Sequence, residues 1–170
     1  MSGAVLLLSR LVVRLRTDER GAALVEMTLV TPFLLLLCAG VFEFSNILYQ
    51  RLLIDAGVGD AARYLARCED TWSTCVTNAK NLAVYGVVSV GFTDLPRVSG
   101  WTISEVPDPA VSSYAATDAS SSELYLSTTG TVKVVTVTAS VPYSGTGLWS
   151  YLGFGTLNIT ASHQERVIGW

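Results

Sequence analysis

The sequence predicts an α+β protein: a long N-terminal transmembrane and amphipathic α-helix followed by a small antiparallel β-sheet domain. Three observations carry that expectation. Residues 27–42, MTLVTPFLLLLCAGVF, contain no charge. Beyond them Ile47, Ile54, Val58, Ala61 and Leu65 recur at helical spacing, while Asp60, Arg63 and Arg67 fall on the opposite side. After Cys75 the composition shifts to Ser, Thr, Val and Gly with few charges, which suits short strands and turns.

The bulk numbers agree with one membrane segment plus one small domain. The chain has 170 residues and a net charge of −3; 50% of its residues are hydrophobic and only 15% charged. Mean hydropathy is positive, and no basic excess provides an electrostatic footprint for nucleic acid, which is not expected as a partner. Membrane lipid is. Of the cysteines, Cys38 lies inside the apolar run, where it acts as a small hydrophobe. Cys68 and Cys75 frame the polar segment EDTWST, and outside a membrane a disulfide between them is favoured over two unlinked thiols. Zinc is not expected, because four ligands are needed and the sole histidine is His163.

Residues 1–20 hold a short apolar stretch followed by Arg10, Arg14, Arg16 and Arg20. That stretch falls short of the roughly 20 residues a spanning helix needs. It suits either a surface-lying segment or an extended positive region, and both favour a cytoplasmic N-terminus. The span itself is placed at about residues 27–48. Residues 27–42 alone cover about 24 Å as a helix, and Glu26 and Glu43 bracket them. Either acid can mark a membrane interface. Glu26 invites a second reading, since a charge near membrane depth is costly unless it is used. Its candidate partner is an amine created by cutting after Gly21. Pro32 removes a backbone donor within the span, so a kink is expected there. A signal-peptide cut at Cys38-Ala39-Gly40 is disfavoured by the long polar region before the core and by Glu26. A lipoprotein site fails because Leu37 precedes Cys38.

A single helix from Ala22 to Arg67 is the simplest reading, with residues 68–170 forming the β-rich domain. Gly57 and Gly59 either permit close approach to another element or mark a break. The amphipathic stripe can pack on the protein's own domain or on sister helices. Residues 76–86 read as a short helix ending near Gly86. Strands are expected at 87–92, 101–106, 123–127, 131–143 and 157–167, and loops at 107–122 and 144–155. In TVKVVTVTASV the apolar phase switches between Val134 and Val135, as a β-bulge or a strand covered on both faces would produce.

Gly21, Ala22 and Glu26, then Pro32 within the leucine run, Glu43-Phe44, Ala61-Ala62-Arg63-Tyr64 and AKNLAVYG resemble the TadE-like minor pseudopilins of the tight-adherence (Tad, or Flp) branch of type IV pili. The resemblance covers residues 20–86 and fades beyond them. It implies a pilin-like fold and a leader, residues 1–21, removed by a prepilin peptidase between Gly21 and Ala22. Glu26 then becomes the fifth residue of the mature chain and acts in assembly. Met27 departs from the aromatic residue that often follows this acid in major pilins, which favours a minor subunit. The implied partners are the peptidase, other pilin and pseudopilin subunits and the inner-membrane assembly machinery. The implied location is the bacterial inner membrane, crossed once, with the C-terminal domain extracytoplasmic or carried into a pilus.

A competing reading is a permanently anchored protein whose β-rich domain contacts a periplasmic or surface ligand. Catalysis is not expected: His163 has no evident nucleophile or metal partner, and Asp94, Asp108 and Asp118 lack calcium-loop spacing. No cofactor is expected. Asn158-Ile159-Thr160 matches a glycosylation acceptor but is a weak signal in a chain that reads as bacterial.

Overall fold

A computed structural model describes residues 19–127, 129–145, 147–151, 153 and 155–168. The arginines expected at a membrane surface, Arg10, Arg14 and Arg16, and most of the expected leader lie outside the described residues. The chain divides into two compact units, Met1–Phe42 and Glu43–Trp170.

The described part of the first unit is helix. It belongs to α1, which runs without a break from Glu19 to Leu65 with Pro32 inside it. Along residues 22–38 its side chains, among them Leu24, Leu29, Phe33, Leu35 and Leu37, are exposed. Over Gly21–Leu65 the helix is long and apolar enough to cross a membrane. The hydroxyls within the apolar stretch are satisfied locally. Thr28 Oγ1 donates to the Leu24 and Val25 carbonyls at 2.9 Å, and Thr31 Oγ1 donates to the Met27 carbonyl. Such back-bonding lets hydroxyls sit in an apolar helix without an unsatisfied donor.

The second unit is built on the remainder of α1. Ile54, Val58, Ala61, Ala62 and Leu65 are fully buried, so the stripe packs on the protein's own domain. Helix α2 (Trp72–Tyr85) contributes Cys75, Ala79, Ala83 and Val84 to the same core. It begins four residues before the expected start, inside the polar segment framed by Cys68 and Cys75, and ends at Gly86 with φ 76° and a bond from Gly86 N to the Leu82 carbonyl. That left-handed conformation is nearly free only for glycine. The disulfide Cys68–Cys75 spans the turn between the two helices, with Cα atoms 6.0 Å apart.

A three-stranded antiparallel sheet completes the α+β fold: β1 (Ala110–Ala115), β2 (Thr131–Pro142) and β3 (Asn158–Arg166), in that spatial order. Val135, Val137, Ala139 and Val141 of β2 point into the core with Ile159 of β3. Pairing runs without interruption from Val134↔Arg166 to Pro142↔Asn158, and from Ala110↔Thr136 to Ala115↔Thr131. No bulge accompanies the phase switch. Instead Val132 is buried and Val134 half-buried on the face opposite Val135, so the start of β2 is covered on both sides.

Three expected strands are absent. Residues 87–92 form bends, held by Asn81 Nδ2 to the Val88 carbonyl (3.1 Å) and Gly91 N to Asp94 Oδ2 (2.7 Å). Val87, Val90 and Phe92 are exposed, so their pattern faces no partner. Within residues 101–106 the chain makes a 3₁₀ turn, Ile103–Glu105, in which Thr102 N donates to Glu105 Oε2 at 2.6 Å. That reciprocal capping favours a turn over a strand. Residues 123–127 hold only one isolated bridge, Thr117↔Glu123. Conversely, β1 lies in a stretch expected as loop, and the short helix α3 (Leu148–Tyr151) lies in another.

Candidate functional site

Two regions carry the residues of interest, one in each unit. In the first, Gly21 lies inside α1, where glycine costs about 1 kcal/mol relative to alanine. Among the described residues a Cβ there would meet nothing within 4 Å, so packing against them gives no reason for the glycine. Ala22 and Glu26 are exposed and lie one turn apart on the same helix face. Among the described residues no hydrogen bond or ion pair reaches Glu26; its surroundings are the exposed side chains of Leu24, Val25, Met27 and Val30 along the helix. A carboxylate carried by an apolar surface has water, headgroups or another chain as its possible partners.

In the second unit, the polar residues Glu43, Asn46 and Gln50 continue the buried stripe of α1 backwards. Glu43 is only 2% exposed and Gln50 8%. Asn46 Nδ2 donates to the Tyr143 phenol oxygen at 3.2 Å, and the Tyr143 hydroxyl lies 3.4 Å from the Glu43 carbonyl. Gln50 Nε2 donates to the Ser144 carbonyl at 3.4 Å. Burial pushes the Tyr143 phenol pKa above its ordinary value; the Asn46 hydrogen bond opposes the shift, and the negative charge of Glu43 adds to it. Gly145 closes over this group, because a Cβ there would collide with Glu43 Oε1 and the Tyr143 ring. The burial of Glu43 was legible in principle. Steps of three and four residues back from Leu65 through Ile54 lead to Gln50, Ile47 and Glu43, whereas the acid alone suggests an interface marker.

The disulfide cysteines meet as expected, and Pro32 sits within the apolar part of α1. Gly57 is a close approach and not a break: a Cβ would collide with the Ala83 carbonyl and touch Trp101. Asp60 receives Arg97 Nη2 at 2.7 Å, and Arg63 reaches Glu165 at 3.6 Å. The three loop acids have structural roles. Asp94 holds the Gly91 turn, Asp108 pairs with Lys80 at 2.7 Å, and Asp118 Oδ1 accepts from Ser120 Oγ, Ser120 N and Ser122 N. The Ser120 side-chain bond is the main reason the Asp118 pKa is lowered, followed by the Ser122 backbone bond. His163 is half-buried beside Gly59.

These features define an α+β protein in which, among the described residues, one N-terminal helix is a candidate membrane span, consistent with a single-pass membrane protein. Residues 21–63 match the model of a family described as TadE-like protein, so the stretch of helix that carries Gly21, Glu26, Pro32 and Glu43 is similar to that family. No curated protein and no solved structure matches the chain.

Proposed function

We propose that this chain is a minor pseudopilin: a membrane-inserted structural subunit, cut between Gly21 and Ala22 by a prepilin peptidase, that serves assembly of an adhesive Tad pilus. The observation that carries the reading is the TadE-like match over residues 21–63, which begins at the expected cleavage point and suggests a Tad-pilus-associated protein. Two further observations support it: among the described residues nothing lies within 4 Å of a Cβ placed on Gly21, and Glu26 is exposed with no partner among them.

In this mechanism the cut creates an α-amine on Ala22, largely protonated near neutrality because its reference pKa is about 7.7–8.0. Glu26 of a neighbouring subunit pairs with it as the two helices come into register. Within one helix the pair is poorly placed, because both groups project along the same short segment. Between helices, each charge neutralises the other in a low-dielectric setting. Losing one partner there costs about 3–5 kcal/mol, enough to block assembly. The Cys68–Cys75 disulfide supports an extracytoplasmic second unit, since such bonds persist in oxidising compartments.

The test is Glu26→Ala in a host that makes the pilus. The expected outcome is membrane-inserted protein with its disulfide intact and surface pili reduced at least tenfold, counted by electron microscopy. Normal piliation with Glu26→Ala would overturn the assembly role and favour a permanently anchored binding protein.

A further inference from the structure

The part of α1 that belongs to the second unit buries Gln50, Ile54 and Val58 in the domain and leaves another face open. On that face Phe44, Leu48 and Leu52 are exposed. Arg51 and Asp55, also exposed, lie among them at steps of three and four residues. Among the described residues no ion pair or hydrogen bond reaches the side chain of Arg51 or Asp55. Their order matters. A base four residues before an acid is the weaker arrangement for pairing within one helix, since the helix dipole favours the acid-first order.

Between two helices the same spacing decides the register. Copies of this chain inserted the same way round in one membrane run parallel. In exact register they would set Arg51 against Arg51 and Asp55 against Asp55, and facing like charges repel. Sliding one copy by four residues, about 6 Å along the helix, brings its Arg51 level with Asp55 of the other. Leu48 then comes level with Leu52, so apolar side chains meet beside the ion pair. Four residues is also the offset at which the Ala22 amine of one copy would meet Glu26 of the next. In both pairs the positive group comes first in the chain, so the two offsets have the same direction.

We propose that this face of α1 docks on a second copy of the chain, parallel and displaced by one helical turn, with Arg51 of one copy paired to Asp55 of the other. The inference deepens the pilus-subunit reading and rests on it for the parallel orientation of the copies. The charge order then disfavours association at equal depth and favours a neighbour displaced along the helix axis.

The experiment uses the full chain purified in a maltoside detergent, uncleaved, where no membrane fixes the depth of either copy. Leu48→Cys and Leu52→Cys are made separately, each with Cys38→Ala to remove the free thiol. The two chains are mixed and oxidised, and the disulfide-linked products are identified by mass spectrometry. The mixed product should dominate over both like products. Arg51→Asp or Asp55→Arg alone, made in both chains, should lower it about tenfold, because like charges then meet, and the two reversals together should restore it. These positions are exposed, so each variant should melt with the parent. Copies in exact register would give both like products, and an antiparallel pair would favour the like product of Leu52→Cys; either pattern would overturn the proposal. A mixed product indifferent to the single reversals would overturn it as well, as would no product at all, which leaves lipid or a different subunit to cover Leu48 and Leu52. The readout needs neither cleavage nor pili, so its failure is separate from a failure of Glu26→Ala to reduce piliation.

Discussion

Gly57 and Gly59 lie two residues apart on α1 and meet opposite surroundings. A Cβ on Gly57 would strike the Ala83 backbone carbonyl of α2, whereas one on Gly59 would sit 3.9 Å from the His163 ring, an ordinary contact. Alanine at 57 therefore forces the two helices apart, an overpacking cost of about 1–3 kcal/mol that exceeds the roughly 1 kcal/mol gained in helix propensity. Alanine at 59 keeps that gain. Thermal melts of the full chain in detergent should show Gly57→Ala less stable and Gly59→Ala equal or more stable than the parent; the reverse order would contradict the packing. Tyr143 gives a second test. Burial, aided by the charge of Glu43, raises its pKa above the ordinary phenol value of about 10. The fold thus favours the neutral phenol. Its contribution is fully present below pH 10.0 and is lost as pH rises through the higher folded pKa. Tyr143→Phe, with nothing to ionise, should flatten the fall in melting temperature measured above about pH 10.

At the scale of elements, the Cys68–Cys75 bond closes a short loop between α1 and α2. Restricting that loop in the unfolded chain stabilises the fold by about 2–3 kcal/mol. The double change Cys68→Ser and Cys75→Ser should lower the denaturation midpoint accordingly, and thiol labelling of the parent should be absent at both positions until reduction. Labelling without reductant would place the domain in a reducing compartment. The helical elements were largely legible in the sequence, because the stripe through Ile54, Val58, Ala61 and Leu65 has one period and one buried face. The start of α2 was not: Trp72 to Thr74 are exposed and polar or aromatic, so no burial pattern announces a helix there. In the sheet, β2 and β3 follow from alternation against the core. The strand β1 escapes it, since all six residues are exposed and its ladder to β2 is made by the backbone. Val87, Val90 and Phe92 mislead in the other direction, having the composition of a strand and no sheet to join. The site was half legible. Gly21, Ala22 and Glu26 stand out by residue type, whereas the buried role of Glu43 depends on Tyr143 and Gly145, a hundred residues away and joined to it only by folding.

At the scale of the whole molecule, the chain combines an apolar helix, exposed along residues 22–38, with a domain that buries its own hydrophobic stripe. Those halves ask for different surroundings. The domain is satisfied by itself; the exposed apolar helix suits lipid or other helices, and its acid, Glu26, has no partner among the described residues. That division is what a subunit needs if it is to wait in a membrane and later join an assembly. The claim on which this account depends is the identity of the mature N-terminus. Intact-mass and N-terminal peptide mass spectrometry of the protein from a host with its prepilin peptidase should give a chain beginning at Ala22, and a Gly21→Leu variant should retain the leader. A mature protein that still begins at Met1 would contradict the account, leaving Glu26 without the amine it is proposed to meet.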